Sequence, residues 1–192
     1  ILAKVKDLSN EIKAEMLAYD TPAACEKIGV FLDILNNWYI RRSRERFWDG
    51  TNMGAFNTLY TVLLTLSKIT APLLPFMADY VYQGLTGEQS VHLTDWPSLE
   101  VADEEDLVAE MDMVRAVSST AKSLREEHHL RNRLPLKSMT IAGEAAEKLK
   151  PFMDLLKDEV NVKEVFFLTE FFLMQDCSSK NMSYIKSDFA RS

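Results

Sequence analysis

Apolar residues recur at helical spacing from residue 1 to about residue 131. Thr21 followed by Pro22 is typical of a helix N-terminus, with Thr21 as the cap. Asp49-Gly50 ends the helix that follows. The acidic run Asp103–Asp106 favours the start of another helix, because negative charge is stabilised near a helix N-terminus. The predicted helices cover about residues 1–19, 21–48, 51–69 (starting at Thr51 or Asn52), 70–87 and 103–129, and residues 90–97 are expected to be extended.

The pattern changes after residue 131. Leu136–Ala142 is predicted to be a strand, a helix is expected over about 144–159, and Asn161–Leu168 has the β-branched and aromatic content of a second strand. A connection this long indicates a parallel pair, and a stable sheet needs a third strand, which we expect in the tail. The predicted fold is mainly α: an antiparallel helix bundle over residues 1–133, then a small α/β appendage over residues 134–192.

Composition narrows the class of protein. Of the 192 residues, 47% are hydrophobic and 27% are charged, as in globular domains, and the formal net charge is −7. This acidity argues against a non-specific DNA coat but allows a confined RNA site. The apolar stretches are interrupted by Asp79 and Glu170, so we expect no membrane span. The opening residues already resemble an amphipathic helix and lack an initiator Met, which suggests an excised fragment.

Little in the sequence indicates catalysis or metal binding. Cys25 and Cys177 match no metal-binding spacing and are predicted to be buried thiols in a reducing compartment. His128 and His129 are adjacent on a predicted helix and point about 100° apart, so they do not suggest a shared metal site. Glycine-rich phosphate loops and Gly-x-Ser-x-Gly nucleophile motifs are absent.

The most informative segment is Leu35–Trp48, LNNWYIRRSRERFW. Four Arg residues lie beside one Glu between residues 41 and 46, in a chain that is acidic as a whole. A local basic and aromatic cluster of this kind is typical of a confined site for a polyanion.

A helical wheel at about 100° per residue separates two faces of this helix. The predicted core-facing stripe, about 100° wide, contains Ile28, Phe31, Leu32, Leu35 and Tyr39. Nearly opposite, within about 60°, lie Asn37, Arg41, Arg44 and Trp48. Trp38 is predicted at the edge of the core stripe, and Arg42 and Arg46 on it with extended stems.

We interpret the outer face as a surface for unpaired bases. Planar Arg guanidinium groups and an indole can stack on bases, and each stacked base contributes roughly 1–3 kcal/mol of binding free energy. Asn37 can read a base edge, while Arg41, one turn on, braces it or binds phosphate. The alternative is an ordinary solvated face, although an exposed Trp gains nothing from water.

A second basic set lies on the fifth predicted helix. Arg115, Lys122 and His129 recur every seven residues, which keeps them on one side with about 20° of drift per step. Arg125, Arg131 and Arg133 lie nearby. A phosphate track and a solvated face explain this set equally well.

Several motifs together resemble the C-terminal region of the isoleucyl-tRNA synthetase family. They are residues 35–48, the segment NTLYTVLLTLSKITAPLLPFMADYVYQGL, and the motifs SVHLTDWP, RNRLPL and DEVNVKEV. The resemblance runs in order over about residues 15–192. It implies the helical anticodon-binding domain of a class I aminoacyl-tRNA synthetase, in a monomeric cytoplasmic enzyme that binds tRNA-Ile and neither DNA nor membrane.

The resemblance also implies site residues. In the similar methionine enzyme an Asn, an Arg one turn on and a Trp after the bundle contact anticodon bases, and these match Asn37, Arg41 and Trp96 by position. Trp96 is equally explained as a cap over the end of the bundle. With Arg44, Trp48, Arg115, Lys122 and Arg125, these form the predicted tRNA-binding set.

Signatures of the HIGH and KMSKS type are absent, as are sites for isoleucine and editing, so the piece is expected to recognise tRNA without catalysis or cofactors. The complete family enzyme joins isoleucine to tRNA-Ile using ATP with Mg and can bind zinc elsewhere. The competing hypothesis is a helical docking module for an acidic protein partner.

Overall fold

A computed structural model of the chain describes residues 1–50, 53–102, 104–143, 146–168 and 184–186. The chain divides into two compact units, Ile1–Glu104 and Glu105–Ser192. The mainly α class, with a helix bundle and a small α/β part, is confirmed.

The first unit consists of helices joined by short connections. They are α1 (Leu2–Leu17), α2 (Thr21–Ile34) with a π-helical continuation (Leu35–Ile40), α3 (Arg44–Trp48), α4 (Met53–Thr70) and α5 (Pro75–Thr86). The predicted start of the third helix at Thr51 or Asn52 lies outside the described residues. Val91–Leu93 forms one 3₁₀ turn within the segment predicted to be extended.

Two helix starts differ from the prediction. Asp20, rather than Thr21, caps α2: its carboxylate accepts the Ala23 N–H at 3.0 Å, and a carboxylate is both a better cap and favourable at the positive helix end. Helix α5 begins at Pro75 rather than near Thr70, because the Thr70 carbonyl still accepts the N–H of Leu74 at the end of the preceding turn.

The core of the first unit is formed mainly by α1, α2 and α4, with α1 packed on both other helices. It contains Val5, Leu8, Ile12, Ala24, Ile28, Phe31, Leu35, Val62, Leu66 and Ile69. Leu32 was predicted to face the core, and that prediction was wrong, because its side chain is 45% exposed. The buried stripe centres on Ala24, Phe31 and Leu35, which places Leu32 roughly 90° from its centre and brings Ile34 to its other edge.

A smaller apolar cluster, Ala71, Ala78, Tyr82 and Val91, lies where α4 packs on α5. The Asp79 carboxylate ties the following segment to α5 by accepting the Ser90 hydroxyl at 2.7 Å and the Val91 N–H at 2.9 Å. These bonds favour the ionised form, so they lower the pKa of Asp79. The segment leading to Trp96 is thereby anchored at its start.

The second unit contains α6 (Glu105–Glu127), β1 (Leu136–Ala142), a 3₁₀ segment (Ala146–Phe152), α7 (Met153–Val160), β2 (Val162–Leu168) and β3 (Tyr184–Lys186). Pro151 lies within the stretch predicted as one helix, where the regular α-helix starts only at Met153. Helix α6 packs on α7 and on the 3₁₀ segment, within the second compact unit. The division into domains at residues 1–133 and 134–192 stays a prediction.

The sheet has the strand order β2-β1-β3. Strands β1 and β2 are parallel, with Leu136 opposite Val162 and Ala142 opposite Leu168, as predicted from the length of their connection. Strand β3 is antiparallel to β1 and supplies the third strand expected from the tail.

We predict that Leu35→Ala lowers the free energy of unfolding by about 2–5 kcal/mol, because it leaves a cavity in the core of the first unit. Leu32→Ala removes the same atoms from an exposed position of the same helix. It should change the free energy of unfolding by less than about 1 kcal/mol. Denaturant unfolding followed by circular dichroism measures both. Equal losses would contradict the assignment of the buried face.

Candidate nucleic-acid interface

A π-helical turn underlies the basic segment. Over Leu35–Ile40 the backbone bonds span five residues, and the Arg41 N–H reaches the carbonyl of Asn36 instead of Asn37. Such a turn inserts one residue into an α-helix and is frequent at functional sites. The adjacent Asn36 and Asn37, both of low helix propensity, are only a weak sequence signal for it.

The inserted residue shifts the core-facing positions that follow by one. Ser43 is buried, and half-buried Phe47 contacts Phe56 of α4 with 5.4 Å between ring centroids. The wheel had assigned these inward positions to Arg42 and Arg46. That prediction was wrong for Arg46, which is exposed, because the wheel assumed an uninterrupted α-helix.

The four residues predicted on the outer face are all exposed, which confirms that part of the wheel: Asn37, Arg41, Arg44 and Trp48. Trp48 is 84% exposed, a high value for an indole. Trp38 is half-buried, and the Arg42 guanidinium lies 5.5 Å from its ring centroid in cation–π geometry.

Asn37 and Arg41 are connected by hydrogen bonds along the helix surface. The Asn37 side-chain amide donates to the Asp33 carboxylate at 2.5 Å, and Arg41 Nε donates to the Asn37 carbonyl at 2.8 Å. Asp33 was missed by the sequence reasoning. Its position one turn before Asn37 was the available signal, because residues four apart are neighbours on a helix surface.

Trp96 is partly buried against the core of the first unit. Its indole N–H donates to the Ser9 hydroxyl at 3.0 Å, which joins the segment after α5 to α1. This geometry is that of the cap considered as the alternative for Trp96. The indole N–H is therefore already used within the first unit.

Two members of the basic set on α6 are paired with carboxylates, while His129 is exposed. Arg115 is paired with Asp112 at 2.9 Å. Lys122 donates to Glu159, whose side chain is 1% exposed. Each of these cations is thus held by a carboxylate of its own unit, which favours a structural explanation for both.

Arg125 requires a correction, because it is 3% exposed and buried Arg cannot meet RNA. Its guanidinium donates to the carbonyls of Val160, at 3.0 Å, Arg131, at 2.7 Å, and Leu134. Desolvation lowers the pKa of Arg125. The residue therefore joins α6 to the end of α7 and to the loop before β1.

Other chemistry is sparse in the described residues. Cys25 is exposed rather than buried as predicted, because it lies on the outer side of α2, and Cys177 lies outside the described residues. Within the described ranges, no three His, Cys, Asp or Glu side chains gather as a metal site would require. The helices in that same part of the chain are too short or too polar to cross a membrane.

The bundle and its basic segment define a class of protein. The family model described as the anticodon-binding domain of tRNA ligase matches residues 1–140, and the chain belongs to this family. The match includes the π-helical turn and α6.

Among curated proteins, the chain is similar to isoleucine–tRNA ligases. It is 52% identical to that of Leifsonia xyli subsp. xyli over 171 residues, 50% to that of Corynebacterium efficiens over 168, and 48% to that of Mycobacterium tuberculosis over 166. Each match covers 86% of this chain and 15%, 16% and 16% of the respective relative. The chain thus spans about one sixth of the length of these relatives.

We predict that Arg125→Ala destabilises the second unit by about 3 kcal/mol, because it leaves three carbonyl acceptors without their charged donor. Amide hydrogen exchange in β1 and α7 measures this locally. Arg133→Ala, at an exposed position nearby, should leave the free energy of opening measured by exchange within about 0.5 kcal/mol of the parent value. Unchanged protection in Arg125→Ala would contradict the structural role.

Proposed function

We propose that this chain recognises the anticodon stem-loop of tRNA-Ile as part of an isoleucine–tRNA ligase. The supporting observation is the exposed set Asn37, Arg41, Arg44 and Trp48 on a domain of the anticodon-binding family. Similarity to isoleucine–tRNA ligases supports the choice of tRNA.

Each exposed group has a definite role in this proposal. Trp48 stacks on an unpaired base, for which a large apolar ring facing solvent is suited. Arg44 binds loop phosphate. Asn37 reads a base edge and Arg41 holds the same nucleotide, since a bond from Arg41 to the Asn37 carbonyl joins the two. Trp96 contributes only its exposed ring surface, because its N–H is donated to Ser9.

The charge distribution favours a loop over a duplex. The chain carries a formal net charge of −7, whereas four Arg lie between residues 41 and 46. A long duplex would meet the acidic remainder of the surface, but a single loop needs only the basic segment. Membership of the anticodon-binding family likewise favours RNA over an acidic protein partner.

The chemistry of the whole enzyme is proposed to lie outside this chain. A complete isoleucine–tRNA ligase would activate isoleucine with ATP and Mg, act as a cytoplasmic monomer, and bind zinc elsewhere. The present residues would hold the anticodon while the acceptor end reaches the catalytic part.

We expect the chain to bind the tRNA-Ile anticodon stem-loop more tightly than a loop with a scrambled anticodon, because stacking and base-edge contacts depend on the bases presented. Fluorescence titration at several salt concentrations measures this. The affinity should fall by about 0.7 log units per log unit of salt for each phosphate contacted. Equal affinity for both loops would refute specific recognition.

Arg41→Ala and Trp48→Ala should each weaken stem-loop binding, by roughly 5- to 150-fold for the indole, from about 1–3 kcal/mol of stacking. The thermal midpoint should stay nearly constant, since both side chains are exposed. Lys13→Ala and Tyr80→Ala are matched exposed controls for charge and aromatic area, and should bind as the parent does. A drop of many degrees in either test variant would place that side chain in the core.

A further inference from the structure

We propose that Asp33 is a positioning residue that decides which end of the Asn37 amide faces the RNA. The inference rests on the proposed function, because it concerns how Asn37 reads a base edge. It assigns a specificity role to a carboxylate that lies outside the basic segment.

The hydrogen-bond chemistry leaves one arrangement. Asp33 Oδ1 and Asn37 Nδ2 are 2.5 Å apart, across one turn of the helix. An ionised carboxylate can only accept, so the NH₂ end of the Asn37 amide must point toward Asp33. The two ends of an amide are otherwise interchangeable in shape. Asp33 therefore turns the Asn37 Oδ1 away from itself.

The π-helical turn restrains the same residue from its backbone. Because the Arg41 N–H bonds to the Asn36 carbonyl, the Asn37 carbonyl does not receive the N–H it would bind in an α-helix. It accepts Arg41 Nε instead, at 2.8 Å. Asp33, Asn37 and Arg41 thus form a continuous polar ladder on the helix surface, with Asn37 held at its side chain and at its carbonyl.

This orientation selects a class of ligand group. An outward Oδ1 accepts a hydrogen bond, so it matches an exocyclic amino group or a ring N–H on a base edge. A base that presents an acceptor opposite Oδ1 would face an oxygen there and bind more weakly, because only the second N–H of the amide could still donate to it. The negative charge of Asp33 also disfavours a phosphate beside Asn37, which keeps this part of the surface for a base.

The experiment compares discrimination rather than affinity alone. Binding of the authentic tRNA-Ile anticodon stem-loop is titrated beside loops changed at one anticodon position at a time. Asp33→Ala should lower the ratio of affinities for at least one position, by roughly three- to tenfold, as expected for losing one hydrogen bond between neutral groups, here the one from the base to the Asn37 amide. Glu26→Ala removes an equal charge from an exposed site on the same helix and should keep every ratio.

A second variant separates positioning from loss of charge. Asp33→Asn can accept from Asn37 or donate to it, so it permits both amide orientations. For this variant, the ratio of affinities for the authentic and the changed loop should fall between the ratios of the parent and of Asp33→Ala. A merely structural role would change the thermal midpoint and leave the ratios unchanged.

The outcomes are distinguishable. If the parent discriminates between loops and both Asp33 variants discriminate equally well, the positioning role is overturned while the proposed function stands. If the parent itself shows no discrimination, the proposed function fails, and this inference fails with it. Reduced ratios in both Asp33 variants, with Glu26→Ala unchanged, would support the role.

Discussion

The arrangement of the candidate interface depends on the π-helical turn that follows α2. A turn of this kind is rare and occurs mostly as a single turn inside an α-helix. Here Leu35 is buried in the core, and Tyr39 and Ile40 pack against it. The extra residue moves Ser43 inward and turns the four Arg side chains between residues 41 and 46 to exposed or half-buried positions. Packing on one side thus determines the charge displayed on the other.

The arginines show how surroundings decide the role of a side chain. Arg44 is exposed on a short helix, whereas Arg125 lies inside the second unit with three carbonyl acceptors. Both terminal nitrogens of the buried Arg125 are paired with backbone carbonyls, so this residue serves the fold. In sequence the two look alike, since both stand among charged residues on helices. The basic set on α6 was therefore the weaker half of the predicted interface.

Local patterns predicted much of the fold. Strand β1 was predicted with its observed bounds, and β2 to within one residue, because β-branched and aromatic runs bounded by polar turns are strong signals. The exposure of Asn37, Arg41 and Trp48 followed from helical periodicity over a short distance. The errors at Leu32 and Arg46 arose where the centre of the buried stripe, or its phase, was set by neighbouring helices.

The sequence by itself determined the helical class, the parallel strand pair and a basic, aromatic outer surface, because these depend on residue type and spacing within one element. Tertiary structure decided the π-helical turn, the cap made by Trp96 on Ser9, and the burial of Arg125. The last two involve partners distant in the chain: Ser9 lies 87 residues before Trp96, and Val160 lies 35 residues after Arg125. The periodicity of a single helix does not predict such partners, because only packing between elements brings them together.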